Sequence, residues 1–413
     1  LLASLAVAGI AAERQPNIVI ILADDLGYGG VGCYGAPVPT PQIDRLAAEG
    51  VRCTDAHTPS AACCPTRYGL LTGRYPWRVN GNCWALLDSK CLIEPDRRTI
   101  AAHAQEAGYA TLAVGKWHLG FGDKDGIDFN QPLGRGPLDV GFQGFLGSID
   151  NLGGNVLIDG RTIIGADQSK PFKVTKTKGR HTLTGNPEAQ QWTSQTAHER
   201  FLTTAEEFIA KQGQQPFLLY FASFAVHAPL SPRAAFAGRS QYGDYGDYTM
   251  DLDDQVGRIR AALEKSGVLD DTILVFTSDN GANVNKEAVA AGLRANAPLQ
   301  GSKSTTWEAG HRVPLIIRHP RTVPAGTTTD ALICLTDLYR TTTALAGLPA
   351  PGKQAAPDSV DVSAALRSGG AGREELVLVS TGYKPYEHAL RSGKLLFIDV
   401  PAATSIAFTR GDK

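Results

Sequence analysis

Short, continuous runs of apolar residues recur along the chain and predict buried strands. The first run, at 17–25, has the sequence NIVIILADD and ends in two acidic residues. Three further runs follow at 111–118, 216–223 and 272–277. An apolar run without polar alternation is typical of a strand that is buried on both faces of a parallel sheet.

Segments with helical features separate these runs. Leu252, Val256, Ile259 and Leu263 recur at helical spacing, and Gly267 follows them as a stop signal. Further helices are predicted at 41–50, 67–72, 99–108, 197–211 and 335–346. Strands that alternate with helices predict an α/β domain with a large, mostly parallel central sheet flanked by helices.

Two regions depart from this alternation. Residues 120–196 are rich in Gly, Asp and Asn, and they are predicted to form irregular excursions at the rim of a functional site, because so long a loop is usually functional. Strand-like pieces at 375–380 and 394–400 predict a small antiparallel sheet. We therefore expect an α/β domain over 16–347 and a partial C-terminal α+β subdomain over 358–413 that stops before its sheet is complete.

Composition and charge exclude some partners. The chain of 413 residues has 40 Lys and Arg against 41 Asp and Glu, a formal net charge of -1. This balance argues against general binding to nucleic acids or to anionic membranes. Residues 1–12 are apolar and end in small residues, which favours the remnant of a signal peptide, and hence a secreted or periplasmic protein, over a buried helix. This segment is too short to span a membrane.

The cysteine pattern leaves the pairing of thiols open. Seven cysteines are present, and Cys83 and Cys91 flank a short loop where they could pair in an oxidising compartment. Sequence alone does not give disulfide connectivity. No Cys-x-x-Cys or Cys/His spacing suggests a zinc site.

Polar residues follow several predicted strands at the point where each strand ends. They are Asp24, Asp25, Lys116, His118, His227, Asp279 and Asn280, and Lys303 comes later in a loop. Open α/β sheets build their sites at the carboxyl ends of their strands. Four of these side chains offer oxygens, the ligands that calcium prefers. Helix capping would explain either acidic pair alone, but two pairs at equivalent strand ends favour a bound cation.

The segment that starts at Cys63 has the pattern C-x-P-x-R-x-x-L-L-T-G-R. By itself, Cys63-Cys64 also fits two buried thiols before a turn proline. The pattern resembles the signature of the type I sulfatases, in which the cysteine is oxidised to formylglycine. Only Cys63 has the proline two residues on and the arginine four residues on. In that family one hydroxyl of the aldehyde hydrate attacks sulfur and releases the alcohol, and the other then expels sulfate.

Further motifs extend this resemblance over residues 16–320. Asp24-Asp25 matches an early acidic pair, and G-K-W-H-L-G stands at 115–120. His227 and Pro229 match a His-x-Pro motif, and S-D-N-G stands at 278–281. The late E-G-G-x-R-V-P motif is present with alanine at its second position. The resemblance implies an alkaline phosphatase-like fold and arylsulfatase-like hydrolysis of sulfate esters.

The resemblance also implies a role for each site residue. Cys63 becomes the formylglycine nucleophile through a formylglycine-generating enzyme, and it joins Asp24, Asp25, Asp279 and Asn280 as a calcium ligand. Arg67 holds the hydrate, and Lys116 and Lys303 contact the sulfate oxygens. His118 takes the proton when sulfate leaves. His227, with Lys303, orients the ester or protonates the leaving alcohol, a role that Asp279 could share.

Two other functions stay open at this stage. One is a phosphoester or phosphonate hydrolase of the same superfamily, which often uses a second metal with extra Asp and His ligands. No such additional cluster is evident, which favours one metal and a sulfated, anionic small molecule or glycan as substrate. The other is a non-catalytic binding protein. Residues 151–155 and Trp192 are expected to meet a sugar, whereas His57, Glu308, His311 and Arg312 are expected to be structural or rim residues.

Overall fold

A computed structural model of the chain describes residues 14–79, 83–177, 180–380, 387–399 and 406–409. The strands are β1 (Asn17–Ala23), β2 (Val51–Cys53), β3 (Ala56–His57), β4 (Ala110–Lys116), β5 (Gly144–Ser148), β6 (Ile158–Asp159), β7 (Thr162–Ile163), β8 (Lys173–Thr177), β9 (Arg180–Thr184), β10 (Phe217–Ala222), β11 (Thr272–Ser278), β12 (Leu315–Arg318), β13 (Thr327–Thr329), β14 (Ile333–Cys334), β15 (Glu375–Val379), β16 (His388–Ser392), β17 (Leu395–Asp399) and β18 (Ile406–Thr409). The helices are α1 (Pro41–Glu49), α2 (Cys63–Thr72), α3 (Ile100–Glu106), α4 (Ser194–Lys211), α5 (Gly243–Lys265), α6 (Lys286–Ala290), α7 (Glu308–His311), α8 (Leu338–Leu345) and α9 (Ser363–Ser368).

The central sheet has the strand order β13-β2-β12-β11-β1-β10-β4-β5-β6-β7. Its five middle strands, from β11 to β5, are parallel, and β12 joins β11 in the antiparallel direction. The four apolar runs found in the sequence are four of these parallel strands. The predicted mostly parallel sheet is therefore confirmed.

Helices cover both faces of this sheet. Along β1, Ile18, Ile20 and Leu22 pack into a core with α2, α3 and α8, whereas the alternate residues Val19 and Ile21 pack into a second core with α1, α4 and α5. Every residue of β1 is buried. Each large aliphatic side chain buried in this way stabilises the fold by about 1.5–3 kcal/mol. Burial on both sides explains why these strands lack polar alternation.

The region 120–196, predicted to be irregular, contains regular structure. Strand β5 lies parallel to β4 in the central sheet, and β8 and β9 form a separate antiparallel hairpin. The sequence of β5, GFLGS, is short and interrupted by glycine, so it carries no apolar run. Gly147 allows close pairing, since a Cβ atom there would lie 2.0 Å from the carbonyl oxygen of Gly115. Trp192 is half-buried against the second core.

Three helices, α2, α4 and α5, begin earlier than predicted, and α4 starts at Ser194 rather than at residue 197. Helix α2 starts at Cys63 rather than at residue 67. Pro65 is tolerated there because it falls in the first turn, where backbone N–H groups have no partner within the helix. It ends at Gly73, whose φ of 59° is left-handed and whose N–H donates to the Gly69 carbonyl at 2.9 Å. Helix α5 starts at Gly243 rather than at residue 252.

Strands β15, β16, β17 and β18 form a four-stranded antiparallel sheet near the C-terminus. This confirms the predicted small antiparallel sheet, and Ser60 bridges to Val379 at its contact with the α/β region. Cys83 and Cys91 are free thiols. Within the described ranges, no helix is long and apolar enough to cross a membrane. The predicted signal segment, 1–12, lies outside the described residues.

Candidate active site

The carboxyl ends of β1, β4, β10 and β11 bring the predicted polar residues to one edge of the sheet. Because β1 lies between β10 and β11, the segments that follow these strands contact one another. Asp24 N–H donates to the Ala225 carbonyl at 2.8 Å, and Asp279 N–H donates to the Ala23 carbonyl at 3.1 Å. Asp25 N–H donates to Asp279 Oδ1 at 3.2 Å. These bonds fix the backbone from which the acidic side chains project.

Helix α2 presents Cys63 and Arg67 to this edge, one turn apart on the same helix face. Cys63 Sγ lies 3.3 Å from His118 Nδ1. Arg67 is fully buried and donates from Nη2 and Nε to Asp279 Oδ2, at 2.6 and 3.1 Å. Its Nη1 donates to the Lys116 carbonyl at 3.0 Å. The guanidinium is therefore held in one orientation beside the cysteine.

The two lysines pair with the two acidic residues that follow β1. Lys116 Nζ lies 2.6 Å from Asp24 Oδ2, and Lys303 Nζ lies 2.6 Å from Asp25 Oδ1. Asn280 Nδ2 also donates to Asp25 Oδ1, at 2.7 Å. His227 Nε2 lies 3.7 Å from Asp25 Oδ2, and His227 is one of the more exposed members of the site, at 25%. The structure therefore brings all ten predicted site residues together.

His118 reaches the site by a route that differs from the prediction. The strand was predicted to run to residue 118, but β4 ends at Lys116. His118 has a left-handed φ of 54°, which is uncommon for a residue other than glycine. Its N–H still donates to the Ile149 carbonyl at 2.7 Å, beyond the end of β5. The backbone turn, rather than strand alternation, directs the imidazole towards Cys63.

Two buried oxygens at this edge have no hydrogen-bond partner among the described residues. They are Asp24 Oδ1 and Asn280 Oδ1. Buried polar atoms are normally paired, so an unpaired oxygen needs another partner. Ligand atoms of Asp24, Cys63 and Asp279 all lie within 4.8 Å of one another. Converging carboxylate and amide oxygens fit a hard divalent cation such as calcium.

The charges around these oxygens are strongly coupled. Burial disfavours ionisation of Asp24, but Lys116, His227 and Arg67 outweigh it and hold the pKa of Asp24 below its usual range. Burial and then the negative charge of Asp24 raise the pKa of Asp279 well above its usual range. Burial and then Lys116 lower the pKa of His118 to about 3, so its imidazole is neutral at neutral pH.

A second buried cluster, which sequence reasoning treated as structural or rim residues, adjoins the site. His57 Nδ1 lies 2.9 Å from His311 Nδ1, and His57 Nε2 lies 3.1 Å from Asp55 Oδ1. Arg312 contacts Glu308 Oε2 at 2.8 Å and Asp55 Oδ1 at 3.3 Å. The sequence carried no signal for Asp55, since a lone acid in a short connection fits many roles.

This cluster joins three parts of the molecule. Arg391 of β16 reaches Asp55 Oδ2 at 3.3 Å and Glu308 Oε1 at 3.2 Å, linking the C-terminal sheet to the α/β region. Thr58 N–H donates to the His311 carbonyl at 2.7 Å, just ahead of the segment that leads to Cys63. Ser304 N–H donates to the Ala61 carbonyl at 2.8 Å, next to Lys303. The cluster therefore supports the segment that leads to the cysteine, and that segment is hydrogen-bonded in turn to the one that carries Lys303.

Replacing Asp55 with asparagine is expected to destabilise the protein by at least about 3 kcal/mol, because it leaves buried positive charge uncompensated. Chemical unfolding followed by circular dichroism measures this change. The matched control is Glu188→Gln, which breaks the exposed Lys170–Glu188 pair and should have a much smaller effect, because water screens the two charges. Equal, small effects of the two substitutions would contradict the supporting role of the cluster.

Comparisons with known proteins agree with this geometry. A family model described as Sulfatase matches residues 16–348. The chain is 35% identical to N-acetylgalactosamine-6-O-sulfatase of Bacteroides thetaiotaomicron over 84% of this chain and 75% of that protein. It is 34% identical to human arylsulfatase A, over 94% of this chain and 75% of that protein.

A solved structure from a study of the metabolism of multiple glycosaminoglycans by Bacteroides thetaiotaomicron has a TM-score of 0.88 to this chain and is 33% identical to it. The match covers 95% of this chain and 89% of that chain. The range that the family model matches, 16–348, contains all ten predicted site residues. On this sequence and structural similarity, the chain belongs to the sulfatase family and is a sulfuric ester hydrolase.

Proposed function

We propose that the chain hydrolyses sulfate esters of glycans with formylglycine at position 63 as the nucleophile and calcium as the cofactor. The observation that carries this proposal is the position of Cys63, at the first turn of α2 with Sγ 3.3 Å from a neutral His118. The glycan substrate rests on the relative named N-acetylgalactosamine-6-O-sulfatase. Modification by a formylglycine-generating enzyme and export to the periplasm or outside the cell belong to the same proposal.

Asp24, Asp25, Asp279 and Asn280 would hold calcium, together with the oxygen that replaces Cys63 Sγ. Calcium supplies a Lewis acid that polarises the sulfate and favours the deprotonated hydrate. The three carboxylates contact three permanent cations, Arg67, Lys116 and Lys303. A bound dication therefore leaves the site with a positive local charge, which suits an anionic sulfate ester even though the whole chain has a net charge of -1.

The cationic side chains have fixed positions from which they can act on the sulfate. Arg67 is anchored by Asp279 and by the Lys116 carbonyl, so its charge offsets that of the ionised hydrate without reorganising. Burial disfavours the charge on Lys303, but Asp25 and Cys63 outweigh it and raise the pKa of Lys303 above its usual range. Lys116 and Lys303 thus remain charged and can contact sulfate oxygens.

The positions of the two histidines suggest that each takes part in a different proton transfer. His118 is partly buried, neutral and within reach of position 63, so it accepts the proton of the second hydroxyl when sulfate is expelled. His227 lies on the exposed side of the site, where the leaving alcohol departs. We assign the protonation of the alcohol to His227, with Asp279 as the alternative donor.

Rates on matched sulfate and phosphate esters test this function against the phosphoester or phosphonate alternative. A further His/Glu cluster among the described residues is His57, Glu308 and His311, but its side chains already pair with one another and with Arg312 and Arg391. Nothing in this cluster favours a second metal. We expect kcat/KM on N-acetylgalactosamine 6-sulfate to exceed that on the 6-phosphate by at least about 100-fold. The reverse preference would reject the proposal.

A further inference from the structure

An exposed tryptophan adjoins the active site. Trp84 is one of the exposed large hydrophobic side chains in the described part of the chain, and its ring contacts that of His118. Its ring centroid lies 5.8 Å from that of His118, at an interplanar angle of 69°, and 37% of its surface is exposed. The same imidazole lies 3.3 Å from Cys63 Sγ. Trp84 therefore lies at the rim of the candidate active site, next to the histidine that contacts Cys63.

The backbone around Trp84 is held tightly. Its neighbours Cys83 and Ala85 are both buried, and Ala85 N–H donates to Cys64 Sγ at 3.3 Å. Cys83 has a left-handed φ of 49°, an uncommon conformation for a residue other than glycine. Such strain persists where the surrounding structure imposes it, and it is frequent next to functional sites. The segment that carries the ring is thus hydrogen-bonded to Cys64, the residue after Cys63.

The rest of this loop is joined to the segment that carries His118. Leu92 N–H donates to the Leu119 carbonyl at 2.8 Å, and Phe121 N–H donates to the Ser89 carbonyl at 3.0 Å. Asp88 also contacts His181 of β9 and Lys176 of β8, the latter at 2.9 Å. The segments that carry Trp84 and His118 are thus hydrogen-bonded to each other, which favours a ring that is positioned before substrate binds.

An indole exposed at this position could contact the substrate. A rigid aromatic ring at a recognition site supplies a large contact area at a low cost in conformational entropy. The sulfate is fixed at position 63, so the remainder of the ester must project towards the exposed rim. Trp192, the tryptophan that the sequence suggested for sugar contact, is half-buried against the second core instead.

We propose that Trp84 is a substrate-binding residue whose indole face packs against the apolar C–H face of the sulfated pyranose. This inference rests on the proposed function, because it takes the ester to be a glycan sulfate. It adds a contact to the leaving group, whereas the charged residues contact the sulfate. The ring acts through binding and takes no part in proton transfer.

Binding of N-acetylgalactosamine 6-sulfate by calorimetry tests the proposal in a Cys63→Ala protein, which does not consume the probe. Adding Trp84→Ala is expected to weaken binding of the sugar at least about 10-fold, because truncation removes a central aromatic contact. Trp84→Phe should recover most of the affinity. Inorganic sulfate should bind equally to both proteins, because it reaches only the charged residues. The matched control is Phe397→Ala, which removes a comparably exposed ring on β17.

Unchanged sugar binding in the Trp84→Ala protein would overturn the proposal. An equal weakening of sugar binding and sulfate binding would also overturn it, because that result would indicate that Trp84 only supports His118. Absence of measurable sugar binding to the Cys63→Ala protein would overturn it as well. Turnover of sulfate esters by the wild-type protein is measured separately. A wild type that fails to turn over these esters rejects the proposed function, whereas the binding ratio still decides the role of Trp84.

Discussion

Replacing Cys63 with alanine is expected to lower kcat on sulfate esters by at least about 10⁴-fold, because the substitution removes the nucleophile. Cys64→Ala is the matched control, and it should keep kcat within about threefold. The two cysteines are adjacent and equally buried, but they face different partners. Cys63 Sγ contacts His118 Nδ1, whereas Cys64 Sγ accepts from Ala85 N–H. Both variants should unfold at similar temperatures.

A mass spectrum of the tryptic peptide 53–67 completes this test. After alkylation of free thiols, position 63 should carry an aldehyde in place of its thiol, while Cys53 and Cys64 are alkylated. The protein must come from a host that modifies other sulfatases. A fully alkylated peptide in an active preparation, or equal loss of activity in the Cys63 and Cys64 variants, would reject formylglycine catalysis at Cys63.

Replacing Asp279 with asparagine is expected to lower kcat/KM by at least about 10³-fold and to abolish the stabilisation by calcium. Asparagine keeps an acceptor for Asp25 N–H, but its amide group would face Arg67 Nη2 and Nε, where two donors now meet one carboxylate oxygen. The change thus removes a proposed calcium ligand and leaves Arg67 without its closest counterion. At calcium 100-fold above its Kd, the wild type should gain about 2.7 kcal/mol in unfolding free energy.

Thermal unfolding with and without calcium measures this response independently of activity. Asn280→Ala serves as a second variant, because it removes one unpaired oxygen and leaves the Arg67 ion pair intact, and it should also weaken the calcium response. The control is Asp253→Asn, a buried carboxylate that accepts from the backbone of α1 at a distance from the site. A calcium response that survives in both site variants would place the ion elsewhere.

Local patterns predicted the parts of the site that a single element determines. Cys63 and Arg67 are four residues apart, so a helix places them on one face whatever surrounds it. The acidic pairs follow apolar runs, and the carboxyl ends of parallel strands share an edge of the sheet. The second rule was sufficient to expect Asp24, Asp25, Asp279 and Asn280 at one edge of the sheet, whereas their closeness to the cysteine was implied by the resemblance to the sulfatases.

Other parts of the site depend on contacts between distant segments. The left-handed turn at His118, the pairing of β5 with β4 and the exposure of Trp84 leave no periodic mark in the sequence. His57 and His311 are 254 residues apart, so neither residue alone predicts the other. Each of these features arises because a segment distant in sequence either supplies hydrogen bonds or leaves a side chain exposed to solvent.

The sequence by itself determined the layered α/β architecture, the position of the candidate cysteine and the chemical types of the side chains around it. Apolar periodicity specifies which face of an element is buried, and motif spacing specifies which side chains share a turn. The tertiary structure decided which element lies opposite each face. It therefore decided which acid pairs with each cation, which buried oxygens stay unpaired, and which tryptophan is exposed beside the site. Burial and charge pairing depend on the arrangement of the whole chain, and residue order alone does not specify them.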